Sequence, residues 1–287
     1  MKILYITKGG PMDYLNDMLF HGFYELFGEQ AVDSKPLTFL YDTYKHEWSK
    51  SRLYGNGFSV AGIIEEDKID RTNIAGKIAD QFYDYIIYGS VWRCLDYIDL
   101  VTKTYPSKRV VILDGEDHTG IHPLAERFSY FKRELVHDGQ NLHPISFCIP
   151  AVKMAMLPFP PKTKEMGAVL PGKLETYIFK ENEEALYYKD YQESFYGLTM
   201  KKAGWDCMRH YEILANRCIP YFIDLDTCPP RIMTHLPKEF IQEGMSLRNQ
   251  NPFPEEKYYE VCDQLFECTK ESLTTKKMTE YVLNMIS

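Results

Sequence analysis

With 287 residues the chain is long enough for two ordinary domains or one large one. A hydrophobic share of 45% and an aromatic share of 14% exclude an intrinsically disordered chain. A net charge of −8 argues against a nucleic-acid polyanion as the main partner, because such binding draws on surplus Lys and Arg. A small phosphorylated ligand in a locally basic cleft stays compatible with that charge. The seven cysteines (Cys94, Cys148, Cys207, Cys218, Cys228, Cys262 and Cys268) are odd in number and widely spaced, and no Cys-x-x-Cys pair occurs. That pattern reads as reduced thiols in a cytoplasmic protein, not as zinc sites or a disulfide frame. The N-terminus runs directly into a strand-like segment without a signal pattern, and no stretch is apolar enough for a transmembrane segment. Peripheral association with a membrane stays open.

Met1 to Thr7 reads as a first buried strand, Lys8-Gly9-Gly10-Pro11 as a turn, and residues 12 to 27 as a helix with Leu15, Met18, Leu19 and Phe23 on its apolar side. A strand, a glycine turn and a helix open many nucleotide-binding α/β domains, and Gly10 is the candidate ligand contact there. The Gly-x-Gly-x-x-Gly and P-loop patterns are both absent, so a plain turn is an equal reading. Residues 33 to 63 are aromatic and weakly periodic, with a turn expected at Leu53 to Phe58, and predict a long, partly ordered excursion.

Residues 71 to 82 predict a helix, 83 to 90 a strand ending in Gly89-Ser90, 91 to 105 another helix, and 109 to 113 a third strand. The alternation implies parallel strands, with ligands collecting beyond their carboxyl ends. One such end is Asp114-Gly115-Glu116-Asp117-His118. Asp117 or His118 can serve there as a general base if the surroundings bring its pKa toward neutrality. The Asp114–Asp117 spacing also suits a divalent cation, and a solvated acidic loop is the plain alternative. Lys132 and Arg133 line a cleft or sit on a solvated helix face. The prolines between 144 and 161 mark a domain boundary.

The second half repeats the α/β logic. A strand and turn are expected at 168 to 172, a helix at 181 to 192, a strand at 194 to 199, and terminal helices at 255 to 269 and 271 to 285. Between them, residues 204 to 224 predict a glycine turn, a helix, a corner at Pro220 and a short strand. Asp206 is expected to cap the helix. Lys201, Lys202, Arg209 and the helix N-terminus form a candidate anion site, and Glu212, one turn on, can accept from sugar hydroxyls. An Arg209–Glu212 or Asp206–Arg209 ion pair within the helix is the structural alternative.

Ser194-Phe195-Tyr196-Gly197-Leu198, then Gly204-Trp205-Asp206, Arg209, Glu212, Ala215, Cys218-Ile219-Pro220 and Asp224 with Pro229, resemble the donor-binding segment of GT-B glycosyltransferases. The likeness is to the exostosin-like and related bacterial or viral polysaccharide enzymes and covers about 35 residues well. Asn216-Arg217 and a short second half depart from the pattern. The resemblance implies two Rossmann-like domains with a cleft between them. Residues 1–143 would form the N-terminal acceptor domain, 144–270 the nucleotide-sugar donor domain, and 271–287 a C-terminal helix. It also implies metal-independent sugar transfer from a nucleotide sugar, a UDP-sugar foremost, to a glycan or other hydroxyl acceptor, with no further cofactor. Lys202, Asp206, Arg209 and Glu212 would bind the donor, Arg209 meeting the diphosphate and Glu212 the ribose or sugar. The rival readings are a metal-dependent GT-A-type transferase using Asp114–Asp117 and a non-catalytic nucleotide- or glycan-binding subunit.

Overall fold

The computed structural model describes residues 1–10, 12–47, 59–180 and 182–286. The turn expected at Leu53 to Phe58 lies outside the described residues.

The first sheet starts with β1 (Ile3–Ile6), whose four residues are all buried. A run without polar alternation suits a parallel strand covered on both faces. Helix α1 (Tyr14–Phe27) follows, and Asp13 caps it by accepting from the Asn16 N–H at 3.4 Å. The chain then adds β2 (Ala31–Asp33), α2 (Ile74–Ala79), β3 (Tyr85–Tyr88), α3 (Ile98–Thr104), β4 (Val110–Asp114), β5 (Ser129–Lys132) and β6 (Leu142–Pro144). The strand order is β2-β1-β3-β4-β5-β6, and every pairing is parallel. The order reverses between β1 and β3, which opens a crevice at their carboxyl ends.

The second sheet has the order β7-β8-β9, from Lys164–Met166, Ser194–Thr199 and Ile219–Phe222, again all parallel. Pro220 sits within β9, opposite Gly197. An edge strand tolerates a proline because one side of its backbone is unpaired. Helices α4 (Glu184–Gln192), α5 (Met208–Ala215), α6 (Lys238–Leu247), α7 (Glu255–Ser272) and α8 (Thr275–Ile286) complete this half. Helix α8 returns to the first half. Its Tyr281 hydroxyl donates to the Pro144 carbonyl at 2.9 Å, and it lies so close to α1 that a Cβ on Gly22 would sit 2.2 Å from the Thr275 carbonyl oxygen. Buried apolar residues of both sheets join one continuous core. Among the described residues no helix is long and apolar enough to cross a membrane.

Several expected elements differ. The helices at 71–82 and 91–105 shrink to α2 and α3, whose starts are set by Asn73 and Tyr97 in left-handed backbone. Lys132 and Arg133 belong to no helix; Lys132 ends β5, and both side chains are buried. The strand expected at 168 lies at 164–166. Strands β2, β5 and β6 and helix α6 went unpredicted. Three residues are too few for an alternating pattern to show β2.

Candidate functional site

A cleft of about 300 Å³ lies at the carboxyl ends of both sheets. From the first sheet it takes Asp13 beyond β1, Arg93 beyond β3, Gly115 and Asp117 beyond β4, Arg133 beyond β5 and Phe147 beyond β6. From the second it takes Lys202, Ala203 and Gly204 beyond β8, and then Asp206 to Arg209 and Glu212 at the start of α5. Asp117, Lys202, Asp206, Arg209 and Glu212 are therefore brought together. Gly10 and His118 do not line the cleft. Gly10 has positive φ, 78°, which suits the turn before α1. His118 is exposed, with Nδ1 accepting from the Gly120 N–H at 3.1 Å and its ring against Trp92.

The start of α5 is anchored to the first sheet. Cys207, in extended backbone, occupies the cap position, and no side chain caps the helix. The expectation that Asp206 does so is corrected. Its carboxylate is buried and turned away from the helix end, accepting from the Phe147 N–H at 2.7 Å and the Tyr211 hydroxyl at 2.8 Å. Glu134 Oε1 accepts from the N–H groups of Trp205 and Asp206 at 3.0 and 3.2 Å. Buried Arg133 donates to the carbonyls of Gly115 and Asp206 and to Asp117. Gly204 is required here. A Cβ would lie 2.6 Å from Glu134 Oε1 and 2.7 Å from Asp117 Oδ1.

Arg209 is 5% exposed, yet among the described residues it makes one side-chain hydrogen bond, from Nη2 to the Tyr177 hydroxyl at 2.9 Å. Its Nε and Nη1 are buried without partners. It pairs with neither Glu212 nor Asp206, so the ion-pair alternative does not hold. Glu212 accepts instead from the Ser59 hydroxyl at 2.6 Å and the Tyr187 hydroxyl at 2.7 Å. Burial raises its pKa, and those two hydrogen bonds pull the other way. Each of its oxygens keeps room for a further donor.

The acidic cluster after β4 does not converge. Asp114 is buried and accepts from Lys132 Nζ (2.9 Å), Trp92 Nε1 (2.9 Å) and the Tyr130 hydroxyl. Glu116 pairs with Arg93 at 2.7 Å, and Asp117 pairs with Arg133. Among the described residues no group of three His, Cys, Asp or Glu side chains is placed to hold a metal ion.

Two features of the cleft were not singled out from the sequence. The first is Asp13, which accepts from the Ser90 hydroxyl at 2.8 Å and faces Arg93 at 3.2 Å. Burial raises its pKa against the pull of Arg93. Behind it, fully buried Asp17 is pushed up to about 8 by burial and then by the Asp13 charge. Only the reversal of strand order between β1 and β3 distinguishes Asp13 from any other helix cap. The second feature is Cys207, whose Sγ lies 3.7 Å from His210 Nδ1. Burial pushes this thiol up, but His210, Arg209 and Lys202 outweigh it and bring it down to about 7. The Cys207-x-x-His210 spacing at a helix start was the available signal.

Each of the four carboxylates lining the cleft already accepts from at least one donor of the protein. Of the four cations, Arg93 and Arg133 are paired with carboxylates, whereas among the described residues Lys202 and Arg209 have no carboxylate partner. The uncommitted charge is positive, and it sits beside the N-terminus of α5. That arrangement suits an anionic ligand with hydroxyl groups next to the charge. No protein-family model and no curated protein matches the chain.

Proposed function

We propose that the protein is a glycosyltransferase of GT-B type that moves a sugar from a nucleotide-sugar donor to a hydroxyl acceptor. The observation that carries this reading is Arg209. A guanidinium buried with two of its nitrogens, Nε and Nη1, unpartnered is costly unless a ligand satisfies it, and a diphosphate accepts from both edges of that planar fork. Lys202 and the start of α5 add positive potential where the leaving group gathers charge. Glu212, one helical turn deeper, has acceptor capacity left for ribose or sugar hydroxyls. The second half then holds the donor, and the first-sheet wall faces the acceptor.

For transfer with inversion, a base must take the acceptor proton. Asp13 suits this better than Asp117 or His118. It faces the cleft, and burial raises its pKa. Both Asp13 and Asp117 face an arginine, but the Asp117 side chain is exposed where that of Asp13 is largely buried, and His118 lies outside the cleft lining.

The test is turnover of UDP-, GDP- and CMP-sugars with a panel of glycan acceptors, read as release of the free nucleotide. Acceptor-dependent release from one donor class is expected. Donor binding without release across the panel would support the non-catalytic reading instead.

A further inference from the structure

We propose that Cys207 is a modification site, whose sulfur is activated by His210 and captures anionic disulfides and other anionic electrophiles drawn into the cleft. Three observations meet there. The thiol lines the cleft at the cap position of α5, a helix of eight residues (Met208–Ala215) whose N-terminus favours negative charge. His210 is held for proton transfer. Its Nε2 faces the Trp205 carbonyl at 2.9 Å, an acceptor only, so Nε2 carries a proton. Nδ1 then faces Thr199 Oγ1 at 2.9 Å and Cys207 Sγ at 3.7 Å, and in the neutral ring it accepts the thiol proton. The third observation is independent of the cysteine. Arg209 Nε and Nη1 are unpartnered and buried in the same cleft, which provides a place for the anionic part of an incoming reagent.

With a disulfide the step is a thiol–disulfide exchange. The Cys207 thiolate attacks one sulfur and a new S–S bond forms. The old S–S bond breaks, and the departing sulfur leaves with the electron pair as a thiolate. The proton that passed from Cys207 to His210 ends on that thiolate. The disulfide is the oxidant, one half becoming the mixed disulfide and the other a free thiol. The adduct fills the space beside Arg209, so modification and anion binding exclude each other.

The other cysteines give an internal comparison. Cys94, Cys148, Cys218 and Cys262 are buried, whereas Cys228 and Cys268 are partly exposed. The full chain is treated separately with iodoacetate, iodoacetamide and oxidised glutathione, and each cysteine is followed by peptide mass mapping. The ratio of the iodoacetate rate to the iodoacetamide rate should be about tenfold higher at Cys207 than at Cys268, since only Cys207 combines thiolate character with nearby cations. The glutathione adduct should form first at Cys207, and inorganic pyrophosphate should slow reaction there and not at Cys268. His210→Gln should slow both alkylations at Cys207 while leaving their ratio in place. Equal ratios at the two cysteines, or a first adduct at Cys228 or Cys268, would overturn the proposal. The wild-type ratio decides the matter even if the His210 variant fails to fold. None of these readings needs a nucleotide sugar, so failure of the transferase reading leaves them unchanged.

Discussion

At the scale of single residues, the cleft separates side chains that hold the site from those free to act. Asp206 belongs to the first kind. Replacing it by Ala leaves the Phe147 N–H and the Tyr211 hydroxyl buried without their acceptor. The expected loss is about 2–5 kcal/mol of stability, read as a lower denaturation midpoint with an unchanged slope. Asp17 carries a prediction in pH. Its folded pKa of about 8 stands above the ordinary value of 3.8, so between these values the folded chain holds a proton that the unfolded chain releases. Its contribution to stability is complete in acid and is lost as pH rises through about 8. Asp17→Asn should flatten that decline and raise the melting temperature at pH 8 by on the order of 5 °C. Parallel wild-type and variant curves across this pH range would show that Asp17 titrates normally. Arg209 and Glu212 were legible from their spacing. Arg133 was not, because a basic pair after a short aromatic run reads equally as a helix face. Its role depends on the approach of Gly204, from the far half of the chain.

At the scale of elements, two close approaches fix how the cleft is built. Helix α8 rests on α1 at Gly22, where a methyl group would meet the Thr275 carbonyl and Thr279 Oγ1, both at 2.2 Å. Gly22→Ala should therefore lower stability by about 1–3 kcal/mol through overpacking, despite the better helix propensity of Ala. An unchanged or higher melting temperature would mean that the two helices can separate without cost. At Gly204 the neighbours are Glu134, Asp117 and Arg133, the joint between the second half and the ends of β4 and β5. Gly204→Ala should disturb ligand binding as well as stability, whereas Gly22→Ala should affect stability alone. Strands β1, β3 and β4 were visible in the sequence as short apolar runs, and α1, α5 and the last two helices by their helical apolar spacing. Strands β2 and β7, three residues each, were missed or misplaced because strands this short owe their place to their neighbours. The Asp206 cap was misread because a carboxylate before a helix favours capping only until a tertiary donor such as the Phe147 N–H competes for it.

At the scale of the whole molecule, two parallel sheets turn their carboxyl ends toward one cleft, and the positive charge left over there lies on the second-sheet side. Binding of an anionic donor is the central claim, and Arg209 is where it can fail. Arg209→Met keeps most of the side-chain volume, removes the guanidinium and leaves no buried donor unpaired. The direct measurement is calorimetric titration of UDP and of UDP-sugars into the wild type and this variant, with the melting temperature of each recorded alongside. The account predicts that the wild type binds, and that the variant binds at least about tenfold more weakly while melting at the same temperature or higher. Equal affinity in the two proteins, or a variant that unfolds because Arg209 was holding the structure, would contradict it.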